Sequence, residues 1–351
     1  MQEPSNSSGA DLNLERYARQ MRYAPIGETG QRRLSAARAL ICGCGALGSM
    51  IAALLARAGV GKLRIVDRDF LELNNLQRQM LYDEADVAAA LPKAIAAANQ
   101  LRRINSSIEV EPVVADVTAT NVIELCAGVD LVLDGTDNFE TRFLVNEAAL
   151  KLKLPWVYGG AIGASGQTMT ILPGETPCLR CLISESPPPG TMPTCDTAGV
   201  LGPIIGVVAS IQACEAIKIL SGNRAAASRS LTVIDLWENR IREVGLDRLR
   251  ERGCPTCRDA DYPWLTGRSG SQTAILCGRN AVQIRPVAGS ISLEALAEKL
   301  SAAGQVTRNP YLLRLAVDDY LLTIFPDGRA IIGGTDDIAV ARTLYAKYVG
   351  L

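Results

Sequence analysis

The chain has 351 residues, 48% of them hydrophobic, which is enough for one large domain and a smaller one around a sizeable core. Its formal net charge of −1 lacks the electrostatic footprint of a nucleic-acid or membrane-surface binder. It contains no histidine, which excludes Ser-His-Asp triads, HExxH zinc proteases and imidazole proton shuttles.

Residues 1–13 (MQEPSNSSGADLN) read as a solvated tail with no cleavable apolar leader, so a cytoplasmic protein is expected. Two short helices follow, at 14–21 and 28–37. Alternation then begins with strand 39–42, an apolar helix 47–58 closed by Gly59, strand 62–67 and a polar loop 68–79. Next come helix 92–103 with Pro92 in its first turn, strand 108–114, helix 118–126, a buried strand running into a loop over 130–138, helix 140–152, and strands 155–159 and 167–171. Strands alternating with helices predict an α/β fold, Rossmann-like, with a mixed, mostly parallel sheet covered by helices on both faces. Prolines among Ser, Thr and Gly make 173–199 a long loop. The apolar run 198–211 is too short to span a bilayer and leads into Gln212, Glu215 and Lys218, so it belongs to a buried helix 203–220. Strand 231–236 closes the first domain. The expected organisation is a tail 1–13, a main domain 14–260, a linker 261–272 and a small α+β domain 273–351. That last unit holds strand 281–285, helix 293–303, a hairpin turning at Pro326-Asp327-Gly328 and helix 337–348.

Gly43-x-Gly45-x-x-Gly48 leaves a strand and opens a helix. Glycines there let the backbone approach phosphate, and the helix start offers unpaired N–H groups and a positive dipole end. Asp67 ends the next strand, where a carboxylate can hold both ribose hydroxyls. By themselves these are marks of an NAD-binding unit, and the bland alternative is a tight turn with no ligand. The following residues point elsewhere. Asn74, Asn75, Gln77, Arg78 and Gln79 suit a triphosphate better than a nicotinamide. Arg78 and Lys93, with Arg16 and Arg19 on the first helix, are the cations that phosphoryl or nucleotidyl transfer requires, although each alone is more often a solvated surface charge. Asp137, in the loop after a buried strand, offers the oxygen ligands Mg²⁺ prefers, while Asp134 reads as structural.

Of the ten cysteines, Cys178-Leu-Arg-Cys181 and Cys254-Pro-Thr-Cys257 form two CxxC pairs, which supply four thiolates for a structural tetrahedral Zn²⁺. A redox CxxC or coincidence is the competing reading. Cys195 sits in the polar loop just before a helix, where a thiolate could be stabilised for a covalent role, or it is an inert loop cysteine. Cys42, Cys44, Cys126 and Cys214 lie in apolar elements and read as packing. Cys277 has only a faint likeness to a sulfurtransferase loop.

RYARQ (16–20), GCGALGS (43–49), DRD (67–69), NNLQRQ (74–79), Lys93, DGTDN (134–138), the CxxC pairs and TCDTAGVLGP (194–203) together resemble the ThiF/MoeB-type adenylyltransferases, bacterial relatives of ubiquitin-activating enzymes, over roughly residues 14–260. The resemblance implies that Mg·ATP and the C-terminal Gly-Gly tail of a small ubiquitin-like sulfur carrier are the substrates. The tail carboxylate attacks the α-phosphate, giving an acyl-adenylate and pyrophosphate for later sulfur transfer in thiamine, molybdopterin or another synthesis. It further implies nucleotide contacts from Gly43, Gly45, Ala46, Gly48, Asp67 and Asp69, phosphate contacts from Asn75, Arg78 and Lys93, and Mg²⁺ on Asp137. Arg19 matches an arginine that reaches into the partner subunit's site, which implies a homodimer. Cys195 matches a loop cysteine that takes the acyl group in some members and is dispensable in others. A sulfurtransferase or cysteine desulfurase is a further implied partner. The tail from about 265 is similar to an extension in some ThiF-type chains, with no assigned chemistry. Adenylylation of a peptide or conjugation substrate, an NAD(P)-dependent oxidoreductase and a non-catalytic binding module are the alternatives.

Overall fold

A computed structural model of the chain describes residues 14–349 apart from 188–197, 247, 250–252, 270–273, 277–279 and 285–290. After a 3-10 turn at Leu14–Tyr17 come α1 (Ala18–Met21), α2 (Gly27–Ala36), β1 (Arg38–Cys42), α3 (Ala46–Ala58), β2 (Lys62–Val66), α4 (Glu84–Ala88), α5 (Lys93–Ile104) and β3 (Glu109–Val113). They are followed by α6 (Val122–Leu125), β4 (Leu131–Asp134), α7 (Phe139–Leu152), β5 (Trp156–Ile162), β6 (Ser165–Ile171), α8 (Leu179–Leu182), α9 (Gly202–Leu220), β7 (Ser230–Asp235) and β8 (Arg240–Gly245).

The strands form one sheet in the order β3-β2-β1-β4-β5-β6-β7-β8. The first five run parallel, because helices carry the chain back over the sheet between them; β6, β7 and β8 are antiparallel. β1 is buried on both faces, and its alternation divides the core in two. Ala39 and Ile41 pack with α3, α5 and α9, whereas Leu40 and Cys42 pack with α6 and α7 on the other side. β8, absent from the sequence expectation, is exposed along its whole length, so no hydrophobic alternation marked it.

α9 matches the helix expected over 203–220 within one residue; the run 198–211 alone is too short to span a bilayer, but the whole helix is long and apolar enough to cross one. It is a core helix instead. Ile204, Val208 and Ala213 join the first core, and Gln212 turns its amide inward to the carbonyls of Asp134 (2.9 Å) and Val157 (3.2 Å). At the other end of α3, Gly59 adopts φ +82°, and a Cβ there would come within 2.4 Å of the Tyr17 ring. Asn105 donates to both the Tyr17 hydroxyl and the Ala56 carbonyl, so the N-terminal helix is seated on the end of α3.

The remaining elements are β9 (Ala274–Leu276), β10 (Ala281–Ile284), α10 (Leu293–Leu300), β11 (Gln305–Arg308), β12 (Leu313–Val317), β13 (Tyr320–Ile324), β14 (Ala330–Gly333) and α11 (Ile338–Tyr348). They make an antiparallel sheet, β11-β12-β13-β14-β10-β9, with α10 and α11 packed on one face. The sequence predicted one hairpin, β13–β14; the structure also pairs consecutive strands antiparallel at β9–β10, β11–β12 and β12–β13, the last turning at Asp318-Asp319. Its left-handed residue is Asp318 (φ +52°) rather than a glycine, which hid the turn. Tyr262, Trp264 and Leu265, inside the expected linker, pack on the first domain, with Trp264 stacked on Phe143 at 5.5 Å.

Candidate active site

The glycine loop lies at the C-terminal ends of β1 and β4. From β1 the chain builds outward in both directions, the crevice where open α/β sheets bind ligands. Gly43 has φ +84°, and a Cβ on it would sit 2.6 Å from the Gly135 carbonyl; one on Gly48 would sit 1.9 Å from the Gly43 carbonyl. Only bare backbone fits, so the loop before α3, which begins at Ala46, is pressed against the DGTDN loop after β4.

Asp67 faces this loop. Its carboxylate accepts the Cys44 amide (2.6 Å) and the Asp69 amide (2.7 Å), while burial pushes its pKa up and Lys93 pulls it down. Lys93 opens α5 and is 3% exposed, with Nζ 3.3 Å from Asp69 Oδ2. A short antiparallel bridge of Phe70 to Pro92, together with a 2.8 Å bond from the Lys93 amide to the Asp69 carbonyl, ties the two together. Tyr82 donates its hydroxyl to the Cys44 carbonyl at 2.7 Å, and Gln79 is buried beside Gly45 with its Oε1 lacking a hydrogen-bond partner. An orphaned acceptor beside a glycine loop suits a ligand that brings donors, as a nucleotide does.

Asn75 is buried and uses its amide in the local turn, accepting from the Glu72 amide and donating to Asn74 Oδ1. Arg78 is partly exposed and donates to the Asn74 carbonyl at 2.9 Å. With Glu72, Asn74 and Asn75 it lines a cavity of about 620 Å³ whose far wall is the second sheet. The cationic set divides. Both arginines are exposed, but Arg16 donates to the Ile104 carbonyl at the end of α5 and belongs to the scaffold, whereas Arg19 lies on α1.

The two aspartates of the DGTDN loop also differ. Asp134 is 1% exposed, accepts Arg142 Nε at 3.0 Å and both the amide and hydroxyl of Thr136, and is structural as expected. Arg142 reaches on to the Thr136 and Gly159 carbonyls and so fixes the loop. Asp137 is exposed, within the electrostatic reach of Arg68 and Arg142, and is the carboxylate of that loop available to a Mg²⁺. Tyr82, Arg142 and Arg68 were not singled out in the sequence. Arg68, between the two aspartates of DRD, donates to Asp116 at 2.7 Å, and that position was the one available clue.

A second centre lies apart. The sulfur atoms of Cys178, Cys181, Cys254 and Cys257 are all within 4.8 Å of one another, with 178–181, 178–254 and 181–257 at 3.9, 3.8 and 3.5 Å. Four thiolates about 2.3 Å from a tetrahedral Zn²⁺ stand about 3.8 Å apart, so the donor set fits that ion. Cys42, Cys44 and Cys126 are buried, and burial pushes Cys44 up to about 12, which makes it inert. Cys214, expected to be packing, is instead exposed on the outer side of α9: an apolar helix sequence does not reveal which face meets solvent. Cys195 and Cys277 lie outside the described residues.

The ThiF family description matches residues 17–256. The chain belongs to the ThiF family. Among ThiF relatives, the sulfur carrier protein ThiS adenylyltransferase of Bacillus subtilis is 47% identical over 337 residues, covering 95% of this chain and 99% of that protein. The SAMP-activating enzyme E1 of Haloferax volcanii is 41% identical over 244 residues, 70% of this chain and 88% of its own. The ThiF fold is also that of E. coli MccB with ATP, at a TM-score of 0.59 and 23% identity over 70% of this chain and 74% of that one.

Proposed function

We propose that the chain activates the C-terminal glycine carboxylate of a small ubiquitin-like sulfur carrier with ATP, releasing pyrophosphate. The observation that carries this reading is the meeting of the glycine loop, Asp67 and the buried Lys93 at one crevice, in a chain aligned almost end to end with a ThiS adenylyltransferase.

In this reading the backbone of Gly43, Gly45, Ala46 and Gly48 receives phosphate, Asp67 holds the ribose, and Asp69 holds Lys93 ready before nucleotide arrives. A carrier carboxylate oxygen attacks the α-phosphorus as the bond to the pyrophosphate oxygen breaks, leaving acyl-adenylate and pyrophosphate with no net proton transfer. Anion attacks anion, so Arg78 and Lys93 lower the barrier by spreading charge that grows in the transition state. Asn75 joins them by releasing its amide from the turn. Asp137 would hold Mg²⁺, which supplies further charge neutralisation on the phosphates. The four cysteines would hold Zn²⁺ as a closed structural site, with no position open for catalysis.

Arg19, exposed on α1, would complete the partner's site in a homodimer. Cys195 would accept the acyl group as a thioester with release of AMP, and a sulfurtransferase or cysteine desulfurase would consume the activated carrier. The reaction fits a cytoplasmic setting, where ATP and reduced thiols are present.

The test is carrier-dependent ATP–pyrophosphate exchange with small proteins ending in Gly-Gly. Absence of exchange with every such carrier, together with thermal stabilisation by NAD but not by Mg·ATP, would overturn the reading. Intact-mass analysis of wild type and Cys195→Ser then decides the acyl step, since the adduct must vanish in the variant.

A further inference from the structure

The segment 67–93 carries Asp67, Asp69, Asn75, Arg78 and Lys93, and the second sheet packs against it. Phe70 sits against Ala281, Leu312, Phe325 and Ile331, with the Arg314 guanidinium 4.1 Å from its ring centre. Asn309 donates to the Ala90 carbonyl at 2.9 Å, where Ala90 holds a left-handed φ of +49°. At the centre lies Asp116, just beyond β3. One carboxylate oxygen accepts Arg68 at 2.7 Å and the other accepts Gln283 Nε2 at 3.0 Å.

Arg329 stands behind this contact. It is 3% exposed, stacks on Phe325 at 3.8 Å, and has Nε 3.9 Å from Asp116 and 3.7 Å from Asp327, yet none of its guanidinium nitrogens makes a hydrogen bond. Burial pulls its pKa down against the two aspartates. A buried guanidinium without hydrogen bonds is a poor stabiliser, and an apolar side chain of similar size would serve packing better. Its charge, however, acts on Asp116. From there the polar chain is continuous: Arg68 lies 3.6 Å from Asp69, and Asp69 lies 3.3 Å from Lys93.

We propose that the C-terminal domain is a clamp on the nucleotide site, in which Gln283 and Arg329 are positioning residues that act through Asp116 and Arg68 to fix Asp69 and Lys93 for the ATP phosphates. The proposal rests on the adenylylation reading above. It gives the domain work within the same reaction: two packings of one segment, with and without the clamp, differ in affinity for nucleotide.

The test uses the full chain with Arg329→Met, which keeps the volume over Phe325, and Gln283→Leu, which removes the donor to Asp116. Mg·ATP binding is titrated calorimetrically, and exchange is assayed over ATP and carrier concentrations. Each variant should weaken ATP, in Kd and KM alike, by about fivefold or more, with kcat at saturating ATP and the carrier KM near wild type. Arg329→Met should keep its Tm, and Arg329→Lys should recover part of the ATP affinity. Unchanged ATP affinity in both variants overturns the clamp, as does a fall in Tm accompanied by loss of kcat and of carrier affinity along with ATP affinity. A wild-type protein that binds no ATP overturns the functional reading itself, and the clamp with it.

Discussion

The proposed nucleotide crevice and the cysteine cluster are both assembled from residues distant in sequence, by opposite means. In the crevice the sheet does the positioning. Asp67 and Asp137 follow strands whose register is set by neighbours, and backbone amides complete the site. In the cluster no strand is involved. Four side chains converge, two from the start of the short helix α8 and two from the turn at 254–257, and the ion that fits them would hold these segments together. Loss of one member should therefore slow chemistry at the first site and loosen the fold at the second.

The largest expected effect is at the cluster. Cys254→Ser should cost about 4 kcal/mol or more of stability, lowering Tm by calorimetry, and a strong chelator should reproduce it in the wild type. A chelator that leaves Tm unmoved would remove the contrast. At the crevice, Arg78→Ala should cost about 3 kcal/mol of transition-state stabilisation, on the order of a hundredfold in pyrophosphate exchange, with Tm unchanged because the side chain is partly exposed. Mg·ATP at a hundred times its Kd should stabilise the fold by about 2.7 kcal/mol, and NAD at equal concentration by nothing; equal shifts would break the assignment of the crevice.

The smallest effect lies on the cluster's side, at Glu147. It is buried under the 262–265 turn, accepts the Leu265 amide at 2.9 Å, and is pushed by burial to about 7. A carboxyl raised above its unfolded value contributes stability below the ordinary carboxylate range and loses it as pH rises through about 7. Glu147→Gln should accordingly raise Tm at pH 8 and leave it near wild type at pH 5; an equal change at both would assign the effect to packing.

What was legible in the sequence is what short spacing encodes. The glycine loop, Asp67 after its strand, Lys93 at a helix start and both CxxC pairs follow from local rules, and the structure brings each to its centre. Pairings across long separations were not legible. Arg68–Asp116–Gln283 joins three parts of the chain, and Tyr82 finds Cys44 only once the glycine loop is folded. The division between Arg16, held by a helix end, and Arg19 depends on which way a short helix is seated, which Tyr17 decides from within the core.

The engagement of Asp134 has a consequence for how the enzyme is supplied. With that carboxylate locked to Arg142, Asp137 is left as the exposed acid of its loop, and a single carboxylate is a weak magnesium site without phosphate oxygens beside it. The metal would then travel as cargo of the nucleotide, arriving and leaving at each turnover. Purified protein should contain no stoichiometric magnesium, and ATP in excess of the metal should act as an inhibitor competing with its own complex.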